Sequence, residues 1–264
     1  MNILKKSLAP ITDQAWDEIK SEADKVFKTS LTAREIVDIE GPMGIDFNAV
    51  ATGRLKVPEN QSKSAVNFGI REVLPLIEVR KPFYLNIWEL DNLSRGAKDV
   101  DLDSLQKAAS EMALFEENLV YNGFDKGNIQ GLIKSADKKA VSIPENADEF
   151  LKSVAEQVIQ LRKSYVNGPY SMVINEKVWE KLVKLTEGYP FIKQLKNIID
   201  GKIIVNHNLK KSLLLSEQGG DYELVIGQDH SIGYESHDSE KVKLYFTASY
   251  TFRVLSPEAI VVFN

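Results

Sequence analysis

One stretch of 40 residues constrains this chain more than any other: Tyr84 to Gly123, YLNIWELDNLSRGAKDVDLDSLQKAASEMALFEENLVYNG. Its second half spaces Leu105, Ala108, Ala109, Met112, Phe115 and Leu119 as one face of a helix. Ending near Gly123, that helix is about 20 residues or roughly 30 Å long, enough to span a small domain. Asp101 to Ser104 supply capping side chains ahead of it. Before the cap, Phe83, Leu85 and Ile87 alternate with Tyr84, Asn86 and Trp88, the two-residue period of a strand, and a polar loop with Gly96 joins strand to helix. A spine of this kind needs the rest of the chain packed on it.

The flanking segments supply that packing. Asp13 is positioned to cap a helix carrying Trp16, Ile19, Ala23, Val26 and Phe27 on one side, and Glu35 to Glu40 is extended up to a turn at Gly41 to Gly44. Ile45 to Leu74 is polar with scattered apolar residues and reads as a long two-stranded arm. Such an arm buries too little to stand alone and must lie on something. Strands follow over Val73 to Leu90, interrupted by Pro75 and Pro82, and Gly123 to Ile143 is loop-rich. After Pro144, Leu151, Val154, Ala155, Val158, Leu161 and Tyr165 share a helical face, broken by Gly168-Pro169. Tyr170 to Ile174 is a short strand. Asn175 then caps a helix with Val178, Trp179, Leu182 and Val183, and another helix runs through Phe191 and Leu195 to Gly201. Strands near Ile203, Leu214 and Leu224, with a hairpin turn at Gly219-Gly220, are expected to complete a compact α/β unit. Val242 to Val254 alternates for 13 residues, more than twice a typical strand. Ala259 to Phe263 adds one more strand, and the class is α+β.

The chemistry is sparse. The 264 residues carry a net charge of −5, so no global field favours nucleic acid or an acidic membrane. With 43% hydrophobic and 27% charged residues the chain is an ordinary globular one, and with no cysteine it has neither disulfides nor thiolate sites. The N-terminus lacks a signal-peptide apolar region and no run has the length of a membrane span, so a cytoplasmic protein is expected. No phosphate loop, dinucleotide fingerprint or nucleophile elbow occurs. His207, His230 and His237 have no partner at helical ligand spacing and read as surface or strand-end residues rather than metal ligands. Nothing singles out a catalytic carboxylate pair, and Glu89 and Asp91 read as structural. Trp88, at the solvent end of its strand, either stacks a planar ligand or packs at a subunit seam. No enzyme is expected.

Seven runs add up to a resemblance: KKSLAPIT from Lys5, FKTSLTAR from Phe27, VDIEGPMG from Val37, LPLIEVR from Leu74, LNIWELDNLSRG from Leu85, GPYSMVIN from Gly168 and GQDHSIGYE from Gly227. In this order they resemble the encapsulin shell proteins (family 1, linocin-like), of the tailed-phage major capsid superfamily. The resemblance implies the Hong Kong 97 phage-type capsid fold. Residues 1–44, 76–143 and 227–264 would form a peripheral domain with the spine helix, 45–75 the extended arm and 144–226 an apical domain. It further implies a self-assembling homo-oligomer, about sixty copies in a T=1 icosahedron, forming a nanocompartment in the cytoplasm. The shell would enclose a dye-decolorising peroxidase or a ferritin-like iron-storage protein, without nucleic acid or membrane. A C-terminal targeting peptide of the cargo would dock at Phe27, Arg34, Asp38, Ile232 and Tyr234, with Phe27 and Ile232 as the apolar slot. Glu187, Gly188 and Tyr189 would rim a five-fold pore that favours cations. The WELDNL run is similar to members that stack flavin (FMN) on this tryptophan, which implies Trp88 with Arg80 near it. Two other readings compete: a phage or prophage major capsid protein packaging DNA shares the fold, and older family names point to a secreted bacteriocin or peptidase. The full set of motifs and the short length favour the container.

Overall fold

The strands divide into two four-stranded sheets and one two-stranded ribbon, with orders β1-β8-β9-β4, β10-β7-β5-β6 and β2-β3. In chain order the elements are α1 (Asp13–Ser30), β1 (Asp38–Glu40), β2 (Ala49–Lys56), β3 (Ile70–Pro75), β4 (Ile77–Asn86), α2 (Ile87–Ser94), α3 (Asp103–Asn122) and α4 (Leu132–Ser135). Then come α5 (Ala147–Lys163), β5 (Tyr170–Asn175), α6 (Glu176–Leu185), α7 (Tyr189–Ile199), β6 (Asp200–Asn206), β7 (Ser212–Ser216), β8 (Tyr222–His237), β9 (Lys241–Val254) and β10 (Ile260–Phe263). This computed structural model describes residues 3–59, 66–144, 146–185 and 189–264.

The spine is α3. Leu105, Ala109, Met112 and Leu119 are buried along it, and it packs on α1 and on β4 of the first sheet. The Asp101 carboxylate accepts the Asp103 N–H at 3.0 Å, capping the first turn from outside the helix. Gly123 ends it at φ 85°, where a Cβ would lie 2.6 Å from the Gly131 nitrogen and the Ile129 oxygen. Only glycine fits that left-handed position so close to a second backbone.

Several expectations are corrected. Thr12, not Asp13, caps α1, its side chain accepting from the Ala15 N–H at 3.2 Å, while Asp13 sits in the first turn where its charge suits the helix dipole. The strand before the spine ends at Asn86, and Ile87 and Trp88 begin a helix instead. The Asn86 side-chain oxygen takes the N–H groups of Trp88 (2.9 Å) and Glu89 (3.2 Å), and α2 then buries Leu90 and Leu93. Alternation up to Ile87 masked this cap. Tyr165 leaves the helical face it was expected to share: it lies beyond α5 at φ 62° and is 91% exposed.

Sheet membership also differs. Leu224 lies on β8 in the first sheet, pairing Phe252 and Ile39, rather than beside Ile203 and Leu214. The place beside β7 is taken by β10, which pairs Ile260 with Leu215, so the last strand leaves β9 for the second sheet. Gly219-Gly220, at φ 82° and 78°, accordingly forms a link between the sheets and not a hairpin. β4 is an edge strand carrying Pro82, where a residue without an N–H is tolerated. The ribbon β2-β3 is antiparallel with an irregular register between Ala51 and Leu55. Its base is held by the Leu76 N–H on the Asn48 carbonyl at 2.9 Å.

Candidate functional site

The last turns of α1 lie over the bulged middle of β8, and there the polar and apolar side chains of the molecule converge. Phe27 is buried and stacks flat on His230, centroids 4.3 Å apart and planes 12° off parallel, with Phe246 edge-on at 5.4 Å. This stacked pair lines two adjoining pockets. The first, of about 400 Å³, continues over Trp16, Ala23, Ile232 and Phe246, with Lys6 and Lys20 at its rim. The second, of about 470 Å³, is bounded by Leu31, Arg34, Glu35 and Asp229. The Asp24 side chain lines both. The aromatic partition separates two pockets that each combine apolar and charged side chains, a lining suited to an extended peptide with an apolar anchor.

The second pocket is braced from the spine. Glu116, fully buried, receives Arg34 Nε at 2.6 Å and Nη2 at 2.8 Å and meets His230 Nε2 at 2.8 Å. Arg34 also donates to both oxygens of Asp229, at 3.0 and 2.7 Å. Burial works against the charge on Glu116, but hydrogen bonds from Arg34 and His230 overcome it and hold the carboxyl below the ordinary range. Burial opposes Arg34 as well, and its bonds to Glu116 and Asp229 more than compensate, raising its pKa. The Nε2–H of His230 donates to Glu116 in this arrangement, and its buried Nδ1 has no hydrogen-bond partner among the described residues.

Phe27, Arg34 and Ile232 therefore come together, whereas the structure places the other two docking candidates elsewhere. Asp38 opens β1, and its carboxylate accepts the Gly220 N–H at 2.6 Å. Tyr234 lies further along β8, its hydroxyl 2.6 Å from His237 Nδ1 and its N–H on the Leu4 carbonyl. Glu187 and Gly188 lie outside the described residues, and Tyr189 is described only as the start of α7.

Trp88 is 71% exposed and lines a shallow cleft with Asn86, Glu89, Asn92, Arg95 and Asp101. Arg80 is not beside it: its guanidinium lies 4.3 Å over the Tyr245 ring, six residues up β4 from Asn86, or about 20 Å at the rise of a strand. Trp88 and Arg80 are therefore not neighbours within a chain, and Arg95 shares the Trp88 cleft. Glu89 has the structural part expected of it, accepting from Asn92 and from the Asp101 N–H. His230 corrects the expectation of surface histidines, since its side chain is only 5% exposed. No group of three or more potential metal ligands occurs among the described residues. No described helix is long and apolar enough to cross a membrane.

Sequence reasoning missed Glu116, Asp229 and His230. A signal for Glu116 existed: it follows Met112 by four and precedes Leu119 by three, so the helical period puts a carboxylate on the buried face. Asp229 and His230 had none, because β8 slips register between Gln228 and Ser231 and alternation fails there.

Residues 1–251 match the family described as "Encapsulating protein for peroxidase". A Type 1 encapsulin shell protein of Rhodospirillum rubrum is 37% identical over 99% of this chain and 96% of its own length. A ferritin-like-encapsulin shell fusion protein of Pyrococcus furiosus is 27% identical over 73% of this chain and 53% of its own. Among solved structures, a virus-like particle from Pyrococcus furiosus superposes with a TM-score of 0.67 at 21% identity, covering 94% of this chain and 98% of the other. Phage capsid structures share the fold at lower identity, for example the capsid of Myoviridae phage XM1 with a TM-score of 0.53 at 12% identity, covering 88% of this chain and 91% of the other. The spine, arm and two-sheet body are thus the phage-capsid fold, and the chain belongs to the encapsulin shell protein family.

Proposed function

We propose that this chain builds a closed icosahedral shell of about sixty identical subunits around a cargo protein docked in the groove over Phe27, His230 and Ile232. The observation that carries assembly is the arm. Leu55, Val57, Ile70 and Val73 are each more than half exposed on a two-stranded ribbon, which by itself is marginal in water. A neighbouring copy supplies the cover. Docking rests on the groove: concave, part apolar and braced from behind by a buried ion network. The fused ferritin-like partner of the Pyrococcus furiosus relative supports an iron-handling or redox protein as cargo. Flavin on Trp88 enters this proposal only with Arg95 as its cation, and visible flavin absorbance that stays with the particle through gel filtration is its test.

Light scattering with negative-stain microscopy tests the shell. Sixty chains of 29.7 kDa give roughly 1.8 MDa in hollow particles, and a stable monomer across concentration and salt ends the reading. Particles rich in nucleic-acid absorbance would shift it to a DNA-packaging capsid. For docking, Trp16→Ala with Asp24→Ala removes groove-lining side chains while leaving the buried network whole. Intact particles with severalfold less cargo are expected, and unchanged loading rules the groove out. Arg34→Ala is a poorer probe, since it strands the buried Glu116.

A further inference from the structure

The groove uses one side of the spine helix, and a second polar cluster occupies another. Successive helical residues are rotated by about 100°, so the adjacent buried carboxylates Glu116 and Glu117 address different neighbours. Glu117 Oε1 accepts the Ala33 N–H at 2.8 Å, and Oε2 accepts the Thr32 hydroxyl at 2.6 Å and the Asn206 amide at 2.9 Å. Thr32 Oγ1 also receives Asn206 at 2.9 Å and lies 3.1 Å from the Tyr121 hydroxyl. The Asn206 oxygen is occupied by the N–H groups of Asn208 and Leu209. Glu117 thereby joins the turn after α1, the spine and the end of β6, and so ties the first-sheet body to the second sheet.

All its hydrogen-bond partners are uncharged. Among the ionisable groups around it, Arg34 is committed to Glu116 and Asp229, and His230 faces Glu116. On β6, Lys202 Nζ reaches the Glu35 carbonyl and lies 3.8 Å from Glu217. The remaining neighbours, Glu35 and Tyr121, bring no positive charge.

We propose that Glu117 is a proton-controlled latch between the two sheets, closed when the carboxyl is protonated and loosened when it is ionised. Protonated, its O–H donates to Thr32, whose hydroxyl turns to Tyr121, and the Ala33 and Asn206 donors keep their oxygens. The Tyr121 oxygen then accepts from Thr32, and no buried charge remains at Glu117. Ionised, the donors are still satisfied, but an anion sits buried next to Glu116 with no cation, an arrangement that costs stability. Burial is what raises Glu117, to about 7, with the Glu116 charge adding to it against the bonds from Thr32, Ala33 and Asn206. Because the folded value lies above the unfolded one, this contribution is full below the ordinary carboxyl range and is lost as pH rises through about 7. Glu116 and Asp229, both held low, work in the opposite sense, losing their contribution as pH falls.

Hydrogen exchange on the full-length protein as purified, read at Ala33 and at the end of β6 and corrected for intrinsic base catalysis, tests the latch. About tenfold more opening is expected at pH 8.5 than at pH 6, and Glu117→Gln should abolish most of that rise. Identical pH profiles for the two proteins overturn the proposal. Infrared spectra of the unmodified protein give a test without mutation. A protonated carboxylic acid band present at pH 5.5 and lost by pH 8.5 is expected, and its absence at pH 5.5 overturns the latch.

Discussion

The ribbon β2-β3 and the pair β8-β9 are both antiparallel, yet they stand at opposite ends of self-sufficiency. Along β9, Val242, Leu244, Phe246, Ala248, Tyr250 and Phe252 are all buried, and α1 and α3 close over that face. The ribbon buries Val50 near its base and leaves Leu55, Val57, Ile70 and Val73 in the open. One pair finds its core within the chain. The other leaves its apolar side chains without cover among the described residues, and the proposal above assigns that cover to another copy. Folding and assembly are therefore written into separate pieces of the sequence, and substitutions should separate them.

The largest effect is expected from Ile70→Asp combined with Val73→Asp. Particles should disappear from scattering, while denaturant unfolding of the subunit shifts by no more than about 0.5 kcal/mol, as for exposed positions generally. If the subunit is destabilised as strongly as by a core substitution, the contrast between ribbon and body collapses. In that unassembled background, Phe246→Ala should lower subunit stability by about 3–5 kcal/mol through the cavity it leaves beneath Phe27 and Phe83. A loss under about 1 kcal/mol would mean that the body is as loosely built as the arm. The smallest net effect, that of a double variant, sharpens the role of the network behind the groove. Arg34→Met alone is expected to cost about 3–5 kcal/mol, and adding Glu116→Gln should recover most of it, because what hurts is the stranded charge and not the missing pair. Equal losses in single and double variants would show that Arg34 acts through packing.

How much of this was legible depended on whether the signal was local. The β9 alternation and the α3 face are periodicities within one segment, and both elements formed where those patterns lay. Leu224 went to the wrong sheet on paper because pairing partners lie elsewhere in the chain: β8 meets β1 from nearly two hundred residues upstream, and no pattern inside β8 announces it. The last strand carries the same lesson, since Ile260 to Phe263 would be buried equally well beside β9 or β7. At the site, Phe27 and Ile232 rested on resemblance, and the structure places them in one groove. His230 and Asp229 emerge only in three dimensions, where a bulge turns a short polar run toward a helix that period counting cannot see.

Pro82 carries a consequence for crowding. A shell-forming chain spends its life beside many copies of itself, all with the same exposed strand β4 at the margin of a sheet. An unguarded margin would invite the next copy to hydrogen-bond alongside, then the next, and the outcome would be a fibre. Pro82 has no N–H to offer a newcomer, and the charged Glu78 and Arg80 face solvent on the same strand. The sheet stays finite, which leaves contact between copies to other surfaces, the arm of the proposal above among them.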